Sequence, residues 1–87
     1  MPQIRIYTTP ACPYCVSAKR FLRDRKGVPF EEIDVARDPV LRQWLVDTTH
    51  QRTVPQIFIG DVHVGGYTDM RALDNEGGLD PLLGSPT

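Results

Sequence analysis

The chain is poor in cysteine, with two in 87 residues, and has two histidines and a net charge of −1. So few thiols exclude a disulfide-stapled scaffold and leave too few soft ligands for a four-thiolate zinc site. A near-neutral balance gives no basic footprint for nucleic acid or for an acidic membrane surface, so neither is expected as a partner. Long apolar runs are also missing, so no segment is expected to span a bilayer. The opening "MPQIRIYTTP" lacks the basic stretch and apolar run of a secretory signal, which points to a reducing, cytoplasmic setting. Repeats, low-complexity tracts and linkers are absent. One domain over residues 1–87 is expected, with 84–87 as a frayed tail.

What is present is an ordered alternation of strand and helix signals. "QIRIYT" (Gln3–Thr8) is a short β-rich run stopped by Pro10. From Pro13 the period changes: Cys15, Ala18 and Leu22 recur at helical spacing, while Lys19, Arg20, Arg23 and Lys26 take the outer face, and Gly27 ends the helix. "PFEEIDV" (Pro29–Val35) predicts a second strand. Asp38-Pro39 opens a second helix as N-cap and first-turn proline, with Val40, Leu41, Trp44 and Leu45 on one apolar side.

Two further strands, Gln56–Ile59 and Val62–Val64, are joined by the hairpin signal Gly60-Asp61. A last helix starts near Thr68-Asp69 and ends at Gly77-Gly78, after which Leu79, Leu82 and Leu83 fold back. The order β-α-β-α-β-β-α predicts an α/β fold of thioredoxin-like architecture. Its first unit is a right-handed parallel crossover, in a four-stranded mixed sheet flanked by helices.

The cysteines stand three apart, in "TTPACPYCVSAKRFL", where the first strand gives way to the first helix. A metal clamp, a structural staple and a redox couple all fit that spacing in isolation. Zinc needs about four ligands, and His50 and His63 show no ligand spacing to each other or to the cysteines, so no metal site is expected. A structural disulfide would close a very small loop and is out of place in a reducing compartment. Redox chemistry remains, against the bland alternative of two incidental buried cysteines. Cys12 falls at the mouth of a helix, whose free amides and dipole favour a thiolate. Cys15, one turn further in, can attack a mixed disulfide formed on Cys12.

"CPYC" after the "IYT" strand, then "TVPQIFI", "GGYTD" and "GGLDPLL", together resemble the dithiol glutaredoxins of the small bacterial type, from about Ile4 to Leu83. The resemblance implies a glutathione-disulfide oxidoreductase that reduces protein disulfides and protein–glutathione mixed disulfides. Cys12 would be its nucleophile and Cys15 its resolving thiol. Glutathione would be a reducing co-substrate, with no tightly bound cofactor, and the chain would act as a monomer.

By the same resemblance, Thr53, Val54 and Pro55 form a loop with a cis proline that pairs with the cysteinyl unit of glutathione. Thr68 and Asp69 hold its γ-glutamyl end. Tyr14 flanks the bound thiol, and Arg42 reaches the glycyl carboxylate.

Plainer roles exist for each. Asp69 can cap the last helix, Arg42 can be a solvated helix residue, Thr53 a strand-edge residue, Gly65-Gly66 a turn and Trp44 a core residue. The cluster Lys19–Lys26 is expected to be an exposed helix face. One position departs from the family pattern: Thr9 stands where many members carry a lysine near the thiol, leaving Arg42 or Arg52 to substitute. Two other functions stay open at this point. One is a dimer holding a [2Fe–2S] cluster through Cys12 and glutathione, disfavoured by Pro13 and Cys15. The other is a thioredoxin-like donor reduced by a flavoprotein reductase, disfavoured by Thr68-Asp69 and the TVP loop.

Overall fold

The computed structural model describes residues 3–84. Within the expected tail, Gly84 follows the last helical turn, its N–H donating to the Pro81 carbonyl at 3.2 Å. Residues 85–87 lie outside the described residues.

Four strands, β1 (Ile4–Thr8), β2 (Glu31–Asp34), β3 (Gln56–Ile59) and β4 (Val62–Gly65), form one sheet in the order β2-β1-β3-β4. β1 runs parallel to β2 and antiparallel to β3, and β3 pairs antiparallel with β4. The mixed sheet is therefore the one expected. Its second strand is shorter than predicted. Pro29 has no N–H to give a ladder, while the Val35 N–H still reaches the Thr8 carbonyl at 2.9 Å.

Side chains alternate across the sheet as the pleat requires. Ile4, Ile6, Ile57 and Ile59 point to one face, where they bury against Ala18, Phe21, Leu22, Met70 and Leu79. These come from α1 (Pro13–Arg20), the turn that follows it, α3 (Tyr67–Asn75) and the single-turn α4 (Leu79–Leu82). Tyr7 and Phe58 point the other way, against Val35 and against Leu45 of α2 (Pro39–Thr49). Each fully buried aliphatic side chain contributes about 1.5–3 kcal/mol of burial free energy. Both faces of the sheet are thus covered, and α1 is anchored on it through Ala18 and the residues that follow.

Three helical expectations are corrected. The first helix does not run regularly to Gly27: after α1 the chain forms a π-helical turn, Phe21–Arg25, closed by Lys26 N–H to the Phe21 carbonyl at 3.2 Å. Gly27 follows with φ +62°, the left-handed conformation glycine tolerates. In α2, Leu45 is buried but Val40 is 80% exposed and Trp44 41% exposed, so the apolar side is narrower than predicted. Trp44 lies at the rim of the core, its ring 5.7 Å from Tyr7 and 6.3 Å from Phe58.

The basic run Lys19–Lys26 is not a uniformly solvated face either. Lys26 bonds Asp74 at 2.6 Å and Asp80 at 2.9 Å, tying the end of the first helix to α3 and α4. These two carboxylates, Asp74 first, raise the Lys26 ammonium above its ordinary value. Lys19 pairs with Glu32 of β2 at 2.8 Å.

Candidate active site

Cys12 is the N-cap of α1, in extended conformation, and Pro13 occupies the first helical position. Its sulfur takes the place that a hydroxyl or carboxylate takes in an ordinary cap, accepting the Cys15 N–H at 3.2 Å. The Cys12 thiol also donates to the Val54 carbonyl at 3.4 Å. That carbonyl belongs to the cis Val54–Pro55 peptide, so the loop with the expected cis proline lies directly against the Cys12 sulfur. Both cysteines are free thiols.

The second thiol is a different chemical object. Cys15 is 1% exposed, packed beneath Cys12 in the first turns of α1. Burial, then the hydrogen bond and charge of Cys12, push its thiol up to about 12, against a backbone N–H of Thr9 and the Lys19 charge, which favour the thiolate. Cys15 therefore keeps its proton at neutral pH while Cys12 is free.

The folded state holds the Cys15 proton more tightly than the unfolded chain, whose thiol titrates near 9.0. The stability tied to that proton is intact below 9.0 and is lost as pH rises towards about 12. Chemical denaturation of Cys15→Ser across this alkaline range should show a shallower fall than wild type. An equally steep fall would mean that Cys15 is not the group responsible.

A groove of about 320 Å³ opens beside the Val54 carbonyl. Its walls bring together Tyr14, Thr53, Val54, Pro55, Thr68 and Asp69, six of the seven residues expected to bind glutathione. Tyr14 is 61% exposed and its ring stands 6.3 Å from that of Tyr67. Arg42 is not among the groove residues. It lines a separate depression with Pro39, Gln43, Val46 and Arg52, so the two arginines suggested as substitutes for the missing lysine lie together there. Thr9 borders yet another depression, with Cys15, Lys19 and Glu32.

Asp69 does cap its helix, its Oδ2 accepting the Gly66 N–H at 2.9 Å while the side chain remains exposed. Gly65 is more than a turn residue. It sits at φ +113°, and a Cβ there would stand 2.5 Å from that same carboxylate oxygen, so only glycine leaves room for it.

One residue matters here that sequence reasoning passed over, Gln56, and its partner His63 was weighed only as a zinc ligand. Gln56 is fully buried, and its amide nitrogen donates to Gln51 Oε1 and the Thr53 carbonyl at 2.9 Å and to Thr53 Oγ1 at 3.4 Å. Its oxygen is then the acceptor for His63 Nε2 at 2.7 Å, which fixes the proton on that ring nitrogen. Burial lowers His63 from its ordinary value, with the Asp69 charge opposing. This chain of bonds braces the wall of the groove from behind. A glutamine inside a strand run offered the only sequence signal, a polar residue where an apolar one is usual. Among the described residues, no three His, Cys, Asp or Glu side chains gather into a metal-holding group, and no helix is long and apolar enough to cross a membrane.

A helix-capping thiol bonded to a carbonyl at the edge of an open groove, backed by a buried second thiol on a thioredoxin-like sheet, defines a thiol–disulfide oxidoreductase. The glutaredoxin family model matches residues 4–64. A glutaredoxin of Pseudomonas aeruginosa is 52% identical over 95% of this chain and 98% of its own. The solution structure of glutaredoxin from Brucella melitensis superposes with a TM-score of 0.85 at 49% identity, covering 100% of this chain and 96% of that one. A buckwheat glutaredoxin–glutathione complex gives a TM-score of 0.87 at 29% identity, over 95% of this chain and 77% of that one. The chain belongs to the glutaredoxin family.

Proposed function

We propose that the protein uses glutathione to reduce protein disulfides and protein–glutathione mixed disulfides, as a cytoplasmic monomer folded as one domain. The observation that carries this reading is the pairing of a partly exposed capping sulfur, Cys12, with a buried protonated one, Cys15, where Cys12 touches the carbonyl of Val54, a residue of a preformed groove.

On a glutathionylated protein, the Cys12 thiolate attacks the glutathionyl sulfur. A Cys12–glutathione disulfide forms and the protein leaves as its thiolate, which takes up a proton. A second glutathione thiolate then attacks the glutathionyl sulfur, releasing oxidised glutathione and regenerating Cys12. On a protein disulfide, Cys12 forms a mixed disulfide with the substrate, and Cys15 loses its proton and attacks the Cys12 sulfur. The substrate dithiol departs and a Cys12–Cys15 disulfide remains, which two glutathiones reduce.

Glutathione fits the groove by its chemistry. The backbone of the Thr53–Pro55 loop can pair with the peptide-like centre of the tripeptide. Thr68 and the first amides of α3 suit the γ-glutamyl carboxylate, and Asp69 suits the ammonium. Tyr14 covers the sulfur, and Arg42 can meet the glycyl carboxylate from its neighbouring depression.

Asp69→Ala should therefore raise the KM for glutathione by about ten-fold or more, because a charge-assisted hydrogen bond is worth about 1.5–3 kcal/mol, while kcat stays near wild type. An unchanged KM with a lowered melting temperature would reduce Asp69 to a helix cap. The reading as a whole is tested by supplying electrons from glutathione with glutathione reductase, or from thioredoxin reductase. Turnover should require glutathione; reduction by the flavoprotein alone would assign the protein to thioredoxin-type chemistry.

A further inference from the structure

Beyond Tyr67, the residue that walls one side of the glutathione groove, lies a second cavity of about 390 Å³. Three arginines line it, Arg20, Arg25 and Arg71, with one carboxylate, Asp24. Asp24 is already engaged by Arg23 at 3.3 Å. Among the described residues, none of the three arginines has a carboxylate partner. The whole chain carries a net charge of −1, so this local excess of cations is not a by-product of a basic protein.

Arg71 is built in rather than dangling. Its guanidinium carbon stands 4.8 Å from the Phe21 ring centroid and 5.8 Å from that of Tyr67, and its Nη1 donates to the Tyr67 hydroxyl at 2.8 Å. Its Nε is buried with no acceptor. Stacking on aromatic faces leaves guanidinium donors in the ring-parallel plane free for an oxygen acid. The π-helical turn contributes Phe21, Asp24 and Arg25 to the lining, and such turns recur at functional sites.

We propose that this cavity is a specificity subsite that receives acidic side chains of a protein substrate whose cysteine is bound at Cys12; it rests on the reaction proposed above. Two observations select a substrate segment as the occupant. The lining sets three arginines against one carboxylate, Asp24, which Arg23 already engages. The cavity also adjoins the groove across Tyr67, which lines both and whose ring stands 6.3 Å from that of Tyr14. Arg20 lies eight residues along the chain from Cys12, which is about 12 Å of helix axis. An extended peptide covers that distance in about four residues. The substrate class is thus a chain with Asp or Glu about four residues from the reacting cysteine.

The test uses two glutathionylated peptides, identical except for a Glu-Glu or Gln-Gln pair at that distance from the modified cysteine. At low salt the acidic peptide should have a kcat/KM about ten-fold higher, since each exposed ion pair is worth about three-fold, and added salt should shrink the difference. The double variant Arg20→Gln with Arg25→Gln, both exposed positions, should lose the preference while keeping its rate on the Gln-Gln peptide. Arg20→Glu with Arg25→Glu should reverse it. Equal rates of wild type on both peptides, or a preference that survives the double variants, would overturn the subsite alone. No turnover of either peptide would overturn the proposed reaction and the subsite with it.

Discussion

Cys12→Ser should abolish release of glutathione from a glutathionylated peptide, a fall of about a thousand-fold or more, because a hydroxyl cannot replace the thiolate nucleophile. Cys15→Ser should keep a large part of that activity, since free glutathione resolves the intermediate without it. Reduction of a protein disulfide should suffer in both variants, because the buried thiol is what closes the ring there. The asymmetry follows from position: one sulfur caps α1 at the groove, and the other is sealed beneath it with its proton held. Steady-state assays on the two substrate types separate the roles. If Cys15→Ser were as inactive on the glutathionylated peptide as Cys12→Ser, the division of labour would be wrong.

Gln56→Leu should be the most damaging single change that leaves both thiols in place. Leucine fills a similar volume but makes none of the bonds that Gln56 gives to Gln51, Thr53 and His63. Gln51 and Thr53 are exposed enough to find water, whereas His63 on β4 is half-buried. Stranding one or two such groups costs about 3 kcal/mol of stability. The wall of the groove would also lose its brace, so the KM for glutathione should rise several-fold with kcat less affected. Urea unfolding and glutathione titration read the two effects separately. Unchanged stability and KM would mean that the loop holds its shape without the buried amide.

Much of this was legible in the chain because local chemistry decides it. Cys12-Pro13 and Asp38-Pro39 each combine a capping side chain with a proline suited to a first turn, and both helices start there. Asp38 accepts the Leu41 N–H at 3.0 Å, as its type and place suggest. Gly60-Asp61 likewise gave the hairpin. What stayed hidden depends on partners distant in sequence. The pairing of Lys26 with Asp74 and Asp80 cannot be inferred from a basic helix face, and the burial of Gln56 depends on what packs over β3. The exposure of Val40 reflects how narrow a contact α2 makes with Tyr7 and Phe58. Even Asp69 was legible only in part: its cap was foreseeable, whereas the need for a glycine at position 65 to admit its carboxylate was not.

The central claim is that Cys12 alone carries the glutathionyl group. Intact-protein and peptide mass spectrometry after mixing Cys15→Ser with a glutathionylated peptide, without free glutathione, tests it most directly. One glutathionyl group should appear on Cys12, in step with release of the peptide thiol, and should vanish when glutathione is added. An adduct between Cys12 and the peptide itself, or a glutathionyl group on Cys15 when Cys12→Ser is mixed in the same way, would contradict it.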